Sequence, residues 1–181
     1  MYWESIPGMF TFPLLYKNMV SKFPSGSTFV EVGVWKGKSA VFMAEAIKSS
    51  RKKIDFFAVD LFDGSGGGYE DDLSVINGSL YEEYLKYIEP VSEIIKTIPK
   101  NSLEAYKEFE DESIDFLFLD GDHRYKGILS DLKNWYGKIK TGGVISGHDY
   151  NEPSCGVRQA VDEFFAFSAQ SYMGGCWYKE K

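Results

Sequence analysis

The chain has 181 residues, 44% of them hydrophobic and 26% charged, with a formal net charge of −7. That length suits one domain with a sizeable core, and the acidic balance speaks against a broad nucleic-acid footprint, which needs clustered Lys and Arg. No apolar run approaches the roughly 18–20 residues of a membrane span.

The predicted organisation is a single domain over 1–181, with 1–27 as a short N-terminal helical segment. Met1-Tyr2-Trp3-Glu4-Ser5 lacks the basic start and apolar run of a signal peptide. Two cysteines, Cys155 and Cys176, are too few for a disulfide framework, so a reducing cytoplasm is expected.

In chain order, Met9, Phe10, Phe12, Leu14, Leu15, Met19 and Val20 suggest a helix that either packs the flank of a sheet or closes a crevice. Strand-like runs rich in Val, Ile and Phe follow at Thr28–Val32, Ile54–Val59, Val91–Lys96, Ile114–Leu119 and Val144–Ser146. Between them, helical spacing is read over Lys38–Ser49, Ser79–Ile88, Ser102–Phe109, from Tyr125 to Tyr136 and from Val157 to Phe165. Asp63–Asn77, with Gly64, Gly66, Gly67 and Gly68, reads as one long irregular stretch, either a lid or a passive connection. Ser168–Met173 and Cys176–Lys179 flank Gly174-Gly175 as a terminal hairpin. The fold class is therefore α/β: a Rossmann-like doubly wound sheet of seven strands, mostly parallel, closed by a C-terminal antiparallel hairpin.

Ligands of open parallel sheets bind outside the carboxyl ends of the strands. Both histidines of the chain lie there beside aspartates, in Asp120-Gly121-Asp122-His123 and in His148-Asp149. Such a pair of clusters suits a divalent cation or proton transfer. The first strand runs into Gly33-Val34-Trp35-Lys36-Gly37, a glycine turn that opens a helix. Gly37-Lys38-Ser39 imitates a phosphate loop but lacks one residue of its spacing. Trp35 stands where a dinucleotide site needs its middle glycine. Asp60 ends the second strand, where an acid can accept both hydroxyl hydrogens of a ribose.

Together, Val30-Glu31-Val32-Gly33-Val34-Trp35-Lys36-Gly37, Phe57-Ala58-Val59-Asp60-Leu61-Phe62-Asp63-Gly64, Asp115 to His123, Gly142 to Tyr150 and the Gly156-Val157-Arg158 helix start resemble the class I S-adenosylmethionine-dependent methyltransferases. Within that class the chain looks most like the small O-methyltransferases of the macrocin and cephalosporin-hydroxylase type, over about residues 26–181. The resemblance implies S-adenosylmethionine as cofactor, with Glu31 facing its methionine part, Gly33 and Gly37 forming its floor and Asp60 on the ribose. Leu61 and Phe62 would cover the adenine, Ser102 would lie at its edge, and Asp120 would border the methyl donor. It also implies a cation, Mg2+ or Mn2+, on Asp120, His148 and Asp149, although the histidine departs from the subgroup's usual acid or amide pair. His123, or Asp122 beside it, is the expected catalytic base, and Arg158 could meet an anionic or sugar substrate. The activity implied is O-methylation of a small hydroxylated substrate such as a sugar or natural product. A cofactor-binding protein without catalysis and a dinucleotide-dependent enzyme are the alternatives. The expected partner is a small molecule, with no nucleic acid and no membrane; a homo-oligomer stays open.

Overall fold

A computed structural model describes residues 2–66 and 71–181. Its five parallel strands are β1 (Thr28–Val32), β2 (Asp55–Asp60), β3 (Ile95–Pro99), β4 (Ile114–Leu119) and β5 (Ile139–Gly147). Two further strands, β6 (Gln170–Tyr172) and β7 (Cys176–Glu180), run antiparallel, with β7 paired to β5. The order across the sheet is β3-β2-β1-β4-β5-β7-β6. The helices are α1 (Pro13–Lys22), α2 (Lys38–Ser50), α3 (Leu73–Ile76), α4 (Leu80–Ile88), α5 (Ser102–Ala105), α6 (Tyr125–Trp135) and α7 (Val157–Phe164).

Alternation along the strands divides the core in two. On β4, Phe116 and Phe118 join the layer under α1, α2 and α4, while Leu117 and Leu119 join the layer under α6 and α7. Both faces are apolar because helices cover both, as parallel strands require. Leu15, Tyr16, Met19 and Val20 of α1 pack this sheet flank.

The chain between β1 and β3 builds one side of the sheet and the chain after β4 builds the other. The order therefore reverses between β1 and β4, and a crevice opens there at the carboxyl ends.

Three predicted spans shift. β3 starts at Ile95, not at Val91, because Pro90 opens a 3-10 turn over Glu89–Val91. β5 begins at Ile139, and its register against β4 shifts between Ile139 and Val144, where Gly142 has a φ of +79°. The stretch expected to be irregular from Asp63 contains α3, capped by Asp72, whose carboxylate accepts from the Ser74 backbone N–H. Gly67 and Gly68 of the expected lid lie outside the described residues. Both cysteines are free. Among the described residues no helix is long and apolar enough to cross a membrane.

Candidate active site

The crevice at the β1–β4 reversal has a volume of about 700 Å³, within the range of small-molecule sites. At its base the two strands touch through backbone: Asp120 N–H donates to Val32 O at 2.7 Å. Gly33 has a φ of +86°, and a Cβ there would overlap the Asp120 carbonyl. Only glycine permits both that conformation and that approach.

Asp60 organises the turns beside it. Its Oδ2 accepts from Val34 N–H and Trp35 N–H at 2.8 Å each, and its Oδ1 accepts from Phe62 N–H at 2.7 Å. Trp35 and Phe62 both have positive φ, a conformation that costs a bulky residue energy and needs support. The Asp60 carboxylate gives that support to both. Two amides saturate Oδ2, so one lone pair remains on Oδ1. The expectation that this carboxylate accepts two ribose hydroxyls is thus reduced to room for one.

The remaining expected cofactor contacts fall into two groups. Gly33, Leu61, Ser102 and Asp120 line the crevice. Glu31, Gly37 and Phe62 stand behind its wall. Gly37 is buried, and a Cβ there would press on Tyr84 and Ile88 at 3.0–3.2 Å, so its place is fixed by packing against α4. Phe62 turns inward onto the Tyr81 and Tyr84 rings. Glu31 reaches the crevice through Ser39, whose Oγ donates to Oε1, and its carboxyl also lies beside the buried Tyr16 hydroxyl. Burial pushes its carboxyl up to about 8.

On the far side of the reversal, three donors from two strand ends converge. The His123 Nε2 lies 3.5 Å from Asp120 Oδ1 and 3.3 Å from Asp149 Oδ2, and all three ligand atoms fall within 4.8 Å of one another. Asp149 holds a left-handed φ of +57°, which turns its side chain into this cluster. Burial opposes the charge on His123, but Asp120 and Asp149 outweigh it and push the imidazole up to about 9.

His148 takes a different part from the one expected. Its Nε2 is 3.0 Å from both Gly174 O and Thr11 Oγ1, and its Nδ1 is 3.0 Å from Asp149 Oδ1. The ring is held on its Nε2 side, and its Nδ1, which is also 3.8 Å from Asp120 Oδ1, borders the cluster beside His123. Asp122, the alternative base, is held by Arg124 at 2.6–2.8 Å, and although burial opposes ionisation, that partner keeps its carboxyl below the ordinary value. A carboxylate so engaged is a weak base. Arg158 does not reach the crevice: its guanidinium lies 5.4 Å from the Tyr150 ring.

Pro7, Gly8 and Asp131 escape the sequence reading, while Met9 and Gly66 fall in stretches read there as a crevice-closing or sheet-packing helix and as a lid or passive connection. Pro7, Gly8 and Met9 form part of the rim. Gly66 carries its carbonyl to His123 N–H at 3.2 Å, and a Cβ at Gly66 would overlap the Gly121 carbonyl. Asp131 of α6 is 2% exposed, lines the crevice and accepts from Ser102 Oγ at 2.6 Å. Its signal was present: with Ile128, Leu132 and Trp135 it occupies the apolar stripe of the helix.

A methyltransferase-domain family model matches residues 30–150, more than half of the chain. The chain belongs to this methyltransferase family. Its matched span begins inside β1 and ends just past Asp149, so it takes in every strand end that borders the crevice. The chain is 26% identical over 120 residues to protein y4gI of Sinorhizobium fredii, covering 66% of this chain and 13% of that one. It is 26% identical over 147 residues to protein R132 of Acanthamoeba polyphaga mimivirus, covering 76% and 58%. It thus spans little of the first relative and just over half of the second.

Among solved structures, the O-methyltransferase NovP superposes with a TM-score of 0.70 at 19% identity, over 93% of this chain and 78% of that one. CalS11, a TDP-rhamnose 3'-O-methyltransferase of calicheamicin biosynthesis, gives 0.62 at 13% identity, over 93% and 76%. TrmN from Thermus thermophilus gives 0.62 at 11% identity, over 93% and 48%. The fold is the class I S-adenosylmethionine-dependent methyltransferase fold. Its crevice fits the cofactor: Gly33, Leu61 and Ser102 line it, and one acceptor position is left on Asp60.

Proposed function

We propose that the enzyme methylates a hydroxyl oxygen of a small hydroxylated acceptor, such as a sugar or a natural product, beside a divalent cation held by Asp120, His123 and Asp149. The convergence of those three donors in the crevice carries the reading. The shared fold with NovP and with CalS11, whose substrate is a TDP-rhamnose, supports it.

Two carboxylate oxygens and one imidazole nitrogen are a mixed donor set. They suit manganese, iron or zinc better than magnesium, which favours oxygen ligands throughout. When bound, the cofactor supplies an electrophilic sulfonium methyl group and the cation lowers the pKa of an acceptor hydroxyl. The chain's own residues align and hold. Gly33 lets the β1 turn close on β4, His148 fixes Asp149, and Gly66 fixes the backbone of His123. Alignment of this kind supplies much of the acceleration of an in-line displacement.

One observation favours a second reading. With His123 raised to about 9 between Asp120 and Asp149, its imidazolium offsets their charge without any cation. In that case the cluster only positions the acceptor.

The test is a methyl-transfer assay with radiolabelled cofactor on a panel of catechols, sugars and nucleotide sugars, run with chelator and with added Mn2+. Loss of turnover with chelator and its return with Mn2+ support the cation. Equal rates select the second reading. Transfer to amines alone removes the O-methylation reading. Asp120→Asn and Asp149→Asn should each abolish the metal stimulation, and the double variant should lose little more, because one missing ligand already spoils the site.

A further inference from the structure

The segment before α1 and the turn between β6 and β7 meet behind the cation cluster. Thr11 Oγ1 donates to Gly174 O at 2.6 Å and lies 3.0 Å from His148 Nε2, which is itself 3.0 Å from Gly174 O. Only one placing of the protons satisfies all three contacts. A carbonyl can only accept, so Nε2 carries a proton. The Thr11 proton is spent on Gly174 O, so the hydroxyl oxygen is a second acceptor for Nε2–H. The turn is fixed as firmly as the ring. Gly174 has a φ of +75°, and a Cβ there would overlap the Thr11 carbonyl oxygen. The next carbonyl, Gly175 O, accepts from Tyr150 N–H at 2.9 Å. Successive carbonyls of one turn therefore hold the residues on either side of Asp149. Asp149 needs that support, because its φ of +57° is one that residues other than glycine seldom adopt. Its Oδ1 lies 3.0 Å from His148 Nδ1, and its Oδ2 lies 3.3 Å from His123 Nε2.

We propose that Thr11 is a positioning residue of the cation site: its hydroxyl locks the hairpin turn and the His148 ring together, and through them sets the Asp149 carboxylate. This rests on the cation reading of the cluster. Thr11 touches neither the cluster nor the crevice and acts only through His148 and Gly174. Packing gives the hydroxyl no other task. Phe12 of the same segment is buried in the core and faces the His148 ring at 5.1 Å, whereas Thr11 itself is exposed. A surface threonine would ordinarily turn its hydroxyl to water. Here it bridges residues 163 and 137 positions away. Groups that orient the ligands of a cation commonly set its affinity by about ten- to a hundredfold without touching it. The consequence is that the cation site is complete only when the segment before α1 has docked on the hairpin.

The test is titration of the full chain with Mn2+, the free ion being followed by electron paramagnetic resonance. Thr11→Ala and Thr11→Ser differ from each other only in the hydroxyl. The alanine variant should bind Mn2+ about tenfold more weakly than the wild type or worse, and the serine variant should stay within about threefold of the wild type. Affinity for S-adenosylhomocysteine, measured by calorimetry, should change by less than about twofold in both, because the β1 and β2 ends lie apart from the clasp. Equal Mn2+ affinity in all three proteins overturns the proposal, and so does a serine variant as weak as the alanine one, which would assign the effect to packing. If Thr11→Ala does not fold, nitrogen-15 NMR of the wild type loaded with diamagnetic Zn2+ decides. Nε2 of His148 should show a directly bonded proton; a bare Nε2 overturns the proposal. A wild type that binds no Mn2+ overturns the cation reading and the proposal with it, whereas the other negative results leave that reading standing.

Discussion

Asp60 shows how one carboxylate can serve structure and ligand together. It supports the positive φ of both Trp35 and Phe62, so its loss should be felt by the fold as well as by the cofactor. Asp60→Ala should lower stability by about 2 kcal/mol or more, the scale of hydrogen bonds to a charged group, and should also weaken S-adenosylhomocysteine binding about tenfold. Denaturant melts and calorimetry check the two effects separately; unchanged stability would deny the carboxylate its structural part. His123 makes a prediction of opposite kind. Its imidazole is raised to about 9 in the folded chain, against about 6.5 when unfolded. A group raised by folding stabilises fully below its unfolded pKa and loses that contribution as pH rises through the folded one. In chelator, the melting temperature of the wild type should therefore fall between pH 6.5 and 9 more steeply than that of His123→Gln. Parallel profiles would show that the two carboxylates do not hold the imidazolium.

At the level of elements, the β1 turn is where packing is least tolerant. Gly33 and Gly26 share nearly the same φ, +86° and +91°, but Gly26 faces open space and Gly33 faces the Asp120 carbonyl. Gly26→Ala tests the conformation alone, and about 1 kcal/mol is expected. Gly33→Ala adds a clash between two strand ends and should cost at least about 2 kcal/mol more, or roughly 5 °C in melting temperature for a chain of this size. Equal losses would mean that β1 and β4 separate easily. The same turn shows what was legible in the sequence. β1 and β4 were read to the residue, because each is a run of buried apolar side chains ended by a polar or glycine turn. β3 slipped by four residues because the apolar Val91 and Ile94 continue its pattern, although Pro90 has already turned the chain. That His148 turns its Nε2 to Thr11 and Gly174 was not legible at all. It is decided by Thr11 and Gly174, 137 and 26 residues from His148, through contacts that exist only once α1 and the hairpin have docked. Asp131 was legible as an acid in an apolar stripe, but that it faces a crevice follows from where α5 meets α6.

For the molecule as a whole, the crevice is a gap between two halves of one sheet, and whatever fills it should tie those halves together. A ligand that binds only the folded chain stabilises it by about 2.7 kcal/mol at a hundred times its dissociation constant. At about 2–4 °C per kcal/mol for a chain of this size, saturating S-adenosylhomocysteine should raise the melting temperature by about 5–10 °C. NAD at the same concentration should leave it unchanged. Trp35 lines the crevice at the position where a dinucleotide's pyrophosphate needs a bare backbone, and the carboxylates of Asp60, Asp63, Asp120, Asp122, Asp131 and Asp149 also line it. Those acids repel two phosphates and attract a sulfonium. S-adenosylmethionine should accordingly bind more tightly than its neutral sulfide product at low ionic strength, with the difference shrinking as salt screens the field. A thermal-shift series over the three ligands at two salt concentrations reads both expectations. An equal shift with NAD would show that the two halves close on any adenosine, and a product preferred over S-adenosylmethionine at low salt would show that the acids of the crevice are neutralised before the cofactor arrives.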